Sequence, residues 1–228
     1  NVNLEALADL GWNFTNWTGD LSGTSTTTNI LMDEDKSVTA NFYLTTYQVY
    51  LQTIPAGASA AVFTPSSPFT VSHGISQSIS VQDPAGYRFL NWSTPSANVA
   101  IATPGSDQTS ITVTAGPAVV NANFQKTYNL TMTASIPQAV VSPSGTVVVD
   151  EGVPQAISVN EPAGYRFLNW TVESGTANIN SPDQLSTEVT LNSENATVRA
   201  NFERIYTLTL ESDLPEAVFD PASPLIVP

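Results

Sequence analysis

Pro84-Ala85-Gly86-Tyr87-Arg88-Phe89-Leu90-Asn91-Trp92 returns letter for letter at Pro162 to Trp170, seventy-eight residues downstream. A worn copy, Leu10-Gly11-Trp12-Asn13-Phe14-Thr15-Asn16-Trp17, stands near the start. Recurrence at a fixed period of this length marks tandem modules. Modules of about 80 residues then account for a chain of 228 residues better than one large core does.

Each copy carries its neighbourhood with it. Upstream, apolar residues alternate with mostly polar ones: Tyr47, Val49, Leu51, then Tyr128, Leu130, Met132, then Tyr206, Leu208, Leu210. Period two is the signature of a strand buried on one face. A proline follows in each (Pro55, Pro137, Pro215), then a short run ending in Phe63-Thr64-Pro65, Val141-Ser142-Pro143 or Phe219-Asp220-Pro221. Proline has no amide to give a ladder, so these positions are turns or edges. Ile79 and Val81 match Ile157 and Val159, and also Leu4 and Ala6. Val38-Thr39-Ala40-Asn41-Phe42, Val120-Asn121-Ala122-Asn123-Phe124 and Val198-Arg199-Ala200-Asn201-Phe202 read as the last strand of each module. Nowhere do apolar residues recur at helical spacing. The fold expected is all-β, with tandem small β-sandwich-like modules of some seven short strands, Ig-like first and β-grasp-like second. Alignment on the motif divides the chain into residues 1–42 (the C-terminal half of a module), 43–124 and 125–202 (complete modules) and 203–228 (an N-terminal half). The links Gln125-Lys126-Thr127 and Glu203-Arg204-Ile205 are very short.

The motif also constrains packing. Tyr87 and Phe89 are two apart, but Phe89 and Trp92 are three apart, so a regular strand would point them to opposite faces. Either a bulge near Asn91 brings both inside, or the tryptophan covers a second surface. The small Ala40, Ala122 and Ala200 favour a buried tryptophan resting on each. Trp17, Trp92 and Trp170, with Phe42, Phe124 and Phe202, are therefore the expected structural anchors.

Composition limits function. Twenty acidic residues face six basic ones, a charge that repels nucleic acid and anionic membrane surfaces. No apolar run reaches the length of a membrane span. An acidic, Thr/Ser/Asn-rich chain with two lysines and no cysteine suits an extracellular or cell-surface location. His73 is the only histidine and lacks equivalents in the other modules, so no catalytic residues and no enzyme are expected. One histidine without cysteine leaves no nitrogen or sulfur metal site. Asp33-Glu34-Asp35 is the Ca²⁺ candidate, set against a solvated turn; otherwise no cofactor is expected. Lys36 and Lys126 stand at non-equivalent positions, against Lys–Asn cross-links in every module. Among the Asn-x-Ser/Thr tripeptides, Asn129 and Asn195 are the glycosylation candidates, because they should face outward. Tyr47, Tyr128, Phe42 and Phe124 take inward positions, which leaves the aromatics to the cores rather than to sugars.

The Tyr-x-Leu-Thr opening, the Gly-Tyr-x-Phe-x-x-Trp middle and the Val-x-Ala-x-Phe close resemble the divergent InlB B-type bacterial repeat. Trp17-Thr18-Gly19-Asp20 with Ile30 to Asp33 and Lys36 to Phe42 carries the resemblance furthest. The later modules depart after Trp-Ser/Thr, where longer or rearranged loops are expected. The resemblance implies stalk-like tandem units of exported surface proteins and no catalytic residues.

Pro228 aligns with Ser72 and Asn1 with Ser76, so the terminal pieces are expected to be complementary halves of one module. Half a module exposes strand edges and an unfilled core. Three arrangements meet that need: continuation in a longer array, head-to-tail self-association, or closure into a ring of three. The short links favour the first two. The expected function is a structural stalk, fibre or surface sheath. The alternative is an adhesin or carbohydrate-binding module array with a glycan ligand.

Overall fold

The computed structural model describes residues 1–228 apart from 215–217, 219, 221 and 223. The turn expected at Pro215 and the run containing Phe219 and Pro221 lie outside the described residues. The chain divides into two compact units, Asn1–Phe124 and Gln125–Pro228.

In the first unit, β1 (Val2–Glu5), β2 (Trp12–Gly19), β3 (Thr27–Ile30) and β4 (Val38–Leu44) form two separate antiparallel pairs, β1 with β3 and β2 with β4. Thr45 leads into β5 (Thr46–Ile54), a 3₁₀ turn at Ala56–Ala58, β6 (Val62–Thr64), β7 (Phe69–Ser72) and β8 (Ser76–Gln82). Then come β9 (Tyr87–Ser93), β10 (Val99–Ile101), β11 (Gln108–Val113) and the first part of β12 (Ala118–Ala134). From β5 onward these make two four-stranded sheets, β7-β5-β12-β9 and β6-β8-β11-β10. Val49, Leu51, Ile79, Val81, Ile111 and Val120 fill the space between them.

The second unit repeats this strand for strand. The rest of β12 is followed by β13 (Val141–Ser142), β14 (Thr146–Asp150), β15 (Gln155–Val159), β16 (Tyr165–Ser174), β17 (Asn178–Ile179), β18 (Ser186–Thr190) and β19 (Ala196–Arg204). The sheets are β14-β12-β19-β16 and β13-β15-β18-β17. Finally β20 (Tyr206–Leu208) pairs antiparallel with β21 (Leu225–Val227).

The fold is all-β, with eight strands per complete repeat rather than seven. The additional strand is the short edge β10 or β17, which occupies the loop after each tryptophan where the later repeats depart from the first. A β-grasp arrangement needs a helix against its sheet, and the described residues offer only a three-residue 3₁₀ turn. The expected links also change character: Gln125-Lys126-Thr127 lies inside β12, and Glu203 and Arg204 close β19.

The two ends of each repeat lie side by side. β5 runs parallel to β12, with Val49 opposite Ala118 and Leu51 opposite Val120. In the second unit β12 runs parallel to β19, with Leu130 opposite Ala196 and Met132 opposite Val198. On its other edge the opening strand pairs antiparallel, Tyr47 with Val71 and Tyr128 with Val149. Parallel neighbours require a long crossover, and here the entire repeat is the crossover.

The bulge is the device that buries the tryptophans. The register between β16 and β19 shifts between Phe167 and Asn169, leaving Leu168 as the inserted residue; β2 and β4 shift likewise between Phe14 and Asn16. Trp170 then faces Ala200 and Trp17 faces Ala40. The ring of Phe167 lies 5.7 Å from Trp170 and 5.6 Å from Phe202, and Phe89 stands similarly between Trp92 and Phe124. Each indole N–H donates to a loop carbonyl: Trp17 to Ser25 (2.8 Å), Trp92 to Ser106 (2.9 Å) and Trp170 to Gln184 (2.9 Å). Trp170→Ala removes this anchor and costs about 3–5 kcal/mol. The melting temperature of the second unit should fall by more than about 12 °C by calorimetry; an unchanged melt would show that the indole anchors nothing.

Successive repeats are tied at their turns. The turn glycines Gly11, Gly86 and Gly164 all hold positive φ (85°, 77° and 80°). Thr45 N–H donates to the Gly11 carbonyl (2.7 Å), and Ile205 N–H donates to that of Gly164 (2.9 Å). The Gly11 site is closed as well as left-handed, because a Cβ there would collide with the His73 imidazole, whereas Gly164 faces open space. Gly164→Ala should cost about 1–2 kcal/mol from backbone strain alone. Gly11→Ala should cost more, and adding His73→Ala should return it to the Gly164→Ala level in thermal melts. Equal costs for the two single variants would refute the contact.

Candidate functional site

The site is an open strand edge with an open groove beside it. In complete repeats the closing strand has neighbours on both edges, and Val120, Ala122, Val198 and Ala200 are 0% exposed. β4 has the same Val-x-Ala-x-Phe sequence but, among the described residues, pairs with β2 alone. Val38 and Ala40 are accordingly left partly exposed.

Beside this edge, Leu7, Ala8, Asp9, Trp12 and Phe42 line a groove of about 260 Å³. Trp12 is 45% exposed. Its counterpart in the next repeat, Tyr87, is instead covered by the 3₁₀ turn, with its hydroxyl against Gly57. A second groove runs over β1 and β3, between Asn3–Glu5 and 27–29. Its Leu4 is partly exposed, whereas the matching Ile79 and Ile157 are buried.

A second open surface lies on β20 and β21. Tyr206 opposite Val227 and Leu208 opposite Leu225 reproduce the pairings of Tyr47 with Val71 and Val49 with Phe69. Leu208 is 46% exposed, where Leu130 and Val49 at the matching positions are 0%. Tyr206 is 52% exposed against 8% for Tyr128.

The remaining sequence candidates separate cleanly. The Nδ1 atom of His73 stands 3.1 Å from the Tyr47 hydroxyl, and at the matching place Tyr128 donates to Glu151 (3.0 Å); both are structural contacts at the start of a repeat. Asp33 and Glu34 do not converge with Asp35 on a cation site. Lys36 Nζ takes Asp33 Oδ1 and Glu34 Oε1, each at 2.9 Å, and Glu34, then Asp33, raise its pKa above the ordinary lysine value. Among the described residues no group of three or more His, Cys, Asp or Glu side chains is placed to hold a metal ion. Asn129 and Asn195 are both exposed, and the Asn195 side-chain oxygen accepts the Asn129 backbone N–H (2.8 Å). Trp17, Trp92, Trp170 and Phe124 are buried, while Phe42 and Phe202 are only partly so. The expectation that the cores consume the aromatics needs correction, since Trp12, Tyr43 and Tyr206 stay exposed. Two of these three, Trp12 and Tyr206, belong to the open surfaces. Sequence pattern placed Tyr206 on the buried face of an opening strand, was silent on what covers it, and assigned Trp12 to neither face.

Among the described residues no helix is long and apolar enough to cross a membrane. No curated protein matches the chain. Among solved structures, a pilus adhesin, SpaC from Lactobacillus rhamnosus GG, matches at 10% identity and a TM-score of 0.22. The match covers 76% of this chain and 33% of the adhesin, and similarity at that level bears no functional weight. The family comparison is of another order. The divergent InlB B-repeat domain matches three times in succession, over residues 1–46, 50–127 and 128–206. With the opening strand, the bulged tryptophan strand and the closing strand in the order that its motifs require, this chain belongs to the divergent InlB B-repeat family.

Proposed function

We propose that this is a non-enzymatic structural repeat protein of the cell surface in which the half-repeats at its two ends are completed by complementary half-repeats, joining head to tail or continuing a longer array, to build a stiff stalk or fibre. One observation carries the reading. The apolar positions left exposed or partly exposed on β4 (Val38, Ala40) and on β20 (Leu208) are those that complete repeats bury at the contact between opening and closing strands. An extended strand added to a vacant edge supplies main-chain hydrogen bonds for affinity, and alternate side chains supply specificity.

The register follows from the complete repeats. Tyr50 opposite Val119 and Thr131 opposite Thr197 place Thr209 opposite Ser37. Leu210 then falls opposite Val38 and Glu211 opposite Thr39. The contact joins two different surfaces, so it propagates into a fibre unless rotation closes it. The amide ties at Gly11 and Gly164 support stiffness within each unit.

The chain has no native cysteine, which makes the register directly testable. Thr39→Cys combined with Glu211→Cys should give a ladder of covalent multimers on mild oxidation, resolved on a non-reducing gel. Either single variant should give dimers at most. Absence of cross-linked species would remove strand complementation, and cross-linked product confined to 24.2 kDa would mean closure within one molecule instead of a fibre.

A further inference from the structure

We propose that the second complete repeat carries a binding site for a neutral oligosaccharide, built on a row of four hydroxyls that crosses four strands. The row follows from the register. Thr146 on β14 stands opposite Thr131 on β12, Thr131 stands beside Thr197 on β19, and Thr197 faces Ser174 on β16. The register shift after Val172 is what sets Ser174 in that line. Together with Asn129 and Asn195 these residues line a groove of about 280 Å³. That volume is near the lower end for small-molecule sites and suits one sugar ring of a chain at a time. The site lies wholly within residues 125–202, apart from the surfaces at which half-repeats are completed.

Hydroxyls and carboxamides are neutral groups that both donate and accept, as sugar hydroxyls do. Thr131 and Thr146 share one hydrogen bond (2.8 Å), and the Asn195 side-chain oxygen accepts the Asn129 backbone N–H (2.8 Å). The second bond orients Asn195 and leaves its Nδ2 donors uncommitted. Among the described residues the Asn129 carboxamide and the hydroxyls of Thr197 and Ser174 have no hydrogen-bond partner. No charged side chain lines the groove, so an ionic ligand finds no counter-charge there. The net charge of −14 further repels an acidic glycan. Neighbouring strands lie about 4.8 Å apart, so the row presents hydroxyls at the pitch of alternate equatorial hydroxyls on a pyranose ring. Val148, opposite Asn129 and 67% exposed, adds an apolar surface for the C–H face of such a ring. Strand pairing does not demand this set of residues. The first complete repeat has Gln48, Tyr50, Pro117 and Val119 at the places of Asn129, Thr131, Asn195 and Thr197. There the Tyr50 hydroxyl donates to Gln48 (2.7 Å), and Ser96, the counterpart of Ser174, accepts the Val119 N–H (3.1 Å).

Amide spectra of the isotope-labelled 228-residue chain, produced in a host that does not glycosylate asparagine, test this. The probes are cellotetraose, maltotetraose and chitotetraose, with tetragalacturonate as the acidic counterpart. At least one neutral probe should give saturable shifts at Asn129, Thr131, Thr146, Ser174, Asn195 and Thr197. The dissociation constant should be about 1 mM, as a few neutral hydrogen bonds on an open groove provide. Thr131→Val with Thr197→Val removes the two central hydroxyls at nearly constant shape and should weaken that binding about tenfold or more. Circular-dichroism melts check that this variant stays folded, and Ser174→Ala, at an exposed residue, should by itself weaken binding about threefold. No saturable shift with any neutral probe, shifts centred elsewhere, or binding that survives these substitutions would overturn the site. Equal binding of tetragalacturonate would overturn its preference for neutral sugars.

Discussion

The opening strand of each repeat lies between two neighbours, one parallel and one antiparallel, and every other element is arranged around that slot. It meets the closing strand across the whole length of the module, so a repeat is finished only when its two extremes touch. Until then the closing strand keeps an unpaired edge, and its apolar residues face water. Within the first unit both conditions occur together: Ala122 is fully buried beside β5, and Ala40 is partly exposed on β4. The difference between the two alanines is the presence of a neighbour, since their sequence context is nearly the same.

The bulged tryptophan supports the slot from the other side. One inserted residue, Leu168 or Thr15, turns Trp170 or Trp17 inward onto the small alanine of the closing strand. On the outer face of the same pairing an asparagine strap holds the two strands together. Asn123 Nδ2 donates to Asn91 Oδ1 (2.7 Å), and Asn201 Nδ2 to Asn169 Oδ1 (2.9 Å). These are the asparagines of the Asn-Trp-Ser/Thr tripeptides. In β4 the matching Asn41 Nδ2 donates to the Asn16 backbone carbonyl (3.3 Å) and to Thr18 Oγ1 (3.0 Å), so its pairing with β2 is strapped in the same place. Under the proposed complementation, β4 is the strand that an incoming partner would meet.

Much of this was legible in the sequence, and the limits have physical causes. Period-two alternation marked which face of each strand is buried, because side chains alternate across a pleat, but alternation is silent on which strand lies next to which. The parallel pairing of opening and closing strands thus emerged only from the structure. The three-residue spacing of Phe89 and Trp92 required some irregularity and left two forms open; the register shifts seen at Leu168 and Thr15 select the bulge. Strands β10 and β17 span three and two residues, too short for any periodicity to show. Gln125-Lys126-Thr127 looked like a link because its residues are polar, yet Thr127 is itself buried beside Tyr128. Asp33-Glu34-Asp35 read from sequence as either a Ca²⁺ candidate or a solvated turn; adjacency in sequence says nothing of side-chain direction, and the ion pairs of Lys36 with Asp33 and Glu34 needed coordinates. For the open surfaces, matching Val38 to Val120 and Leu208 to Leu130 located the residues; their differing exposure needed coordinates.

Backbone hydrogen exchange of the intact protein, measured in dilute and in concentrated solution, tests strand complementation most directly. The account predicts that those amides of Val38–Leu44 and Tyr206–Leu208 that are not bonded to β2 or β21 exchange freely when dilute and become protected on concentration, toward the level of their counterparts in complete repeats. Unchanged fast exchange at those positions, with the complete repeats protected throughout, would contradict it.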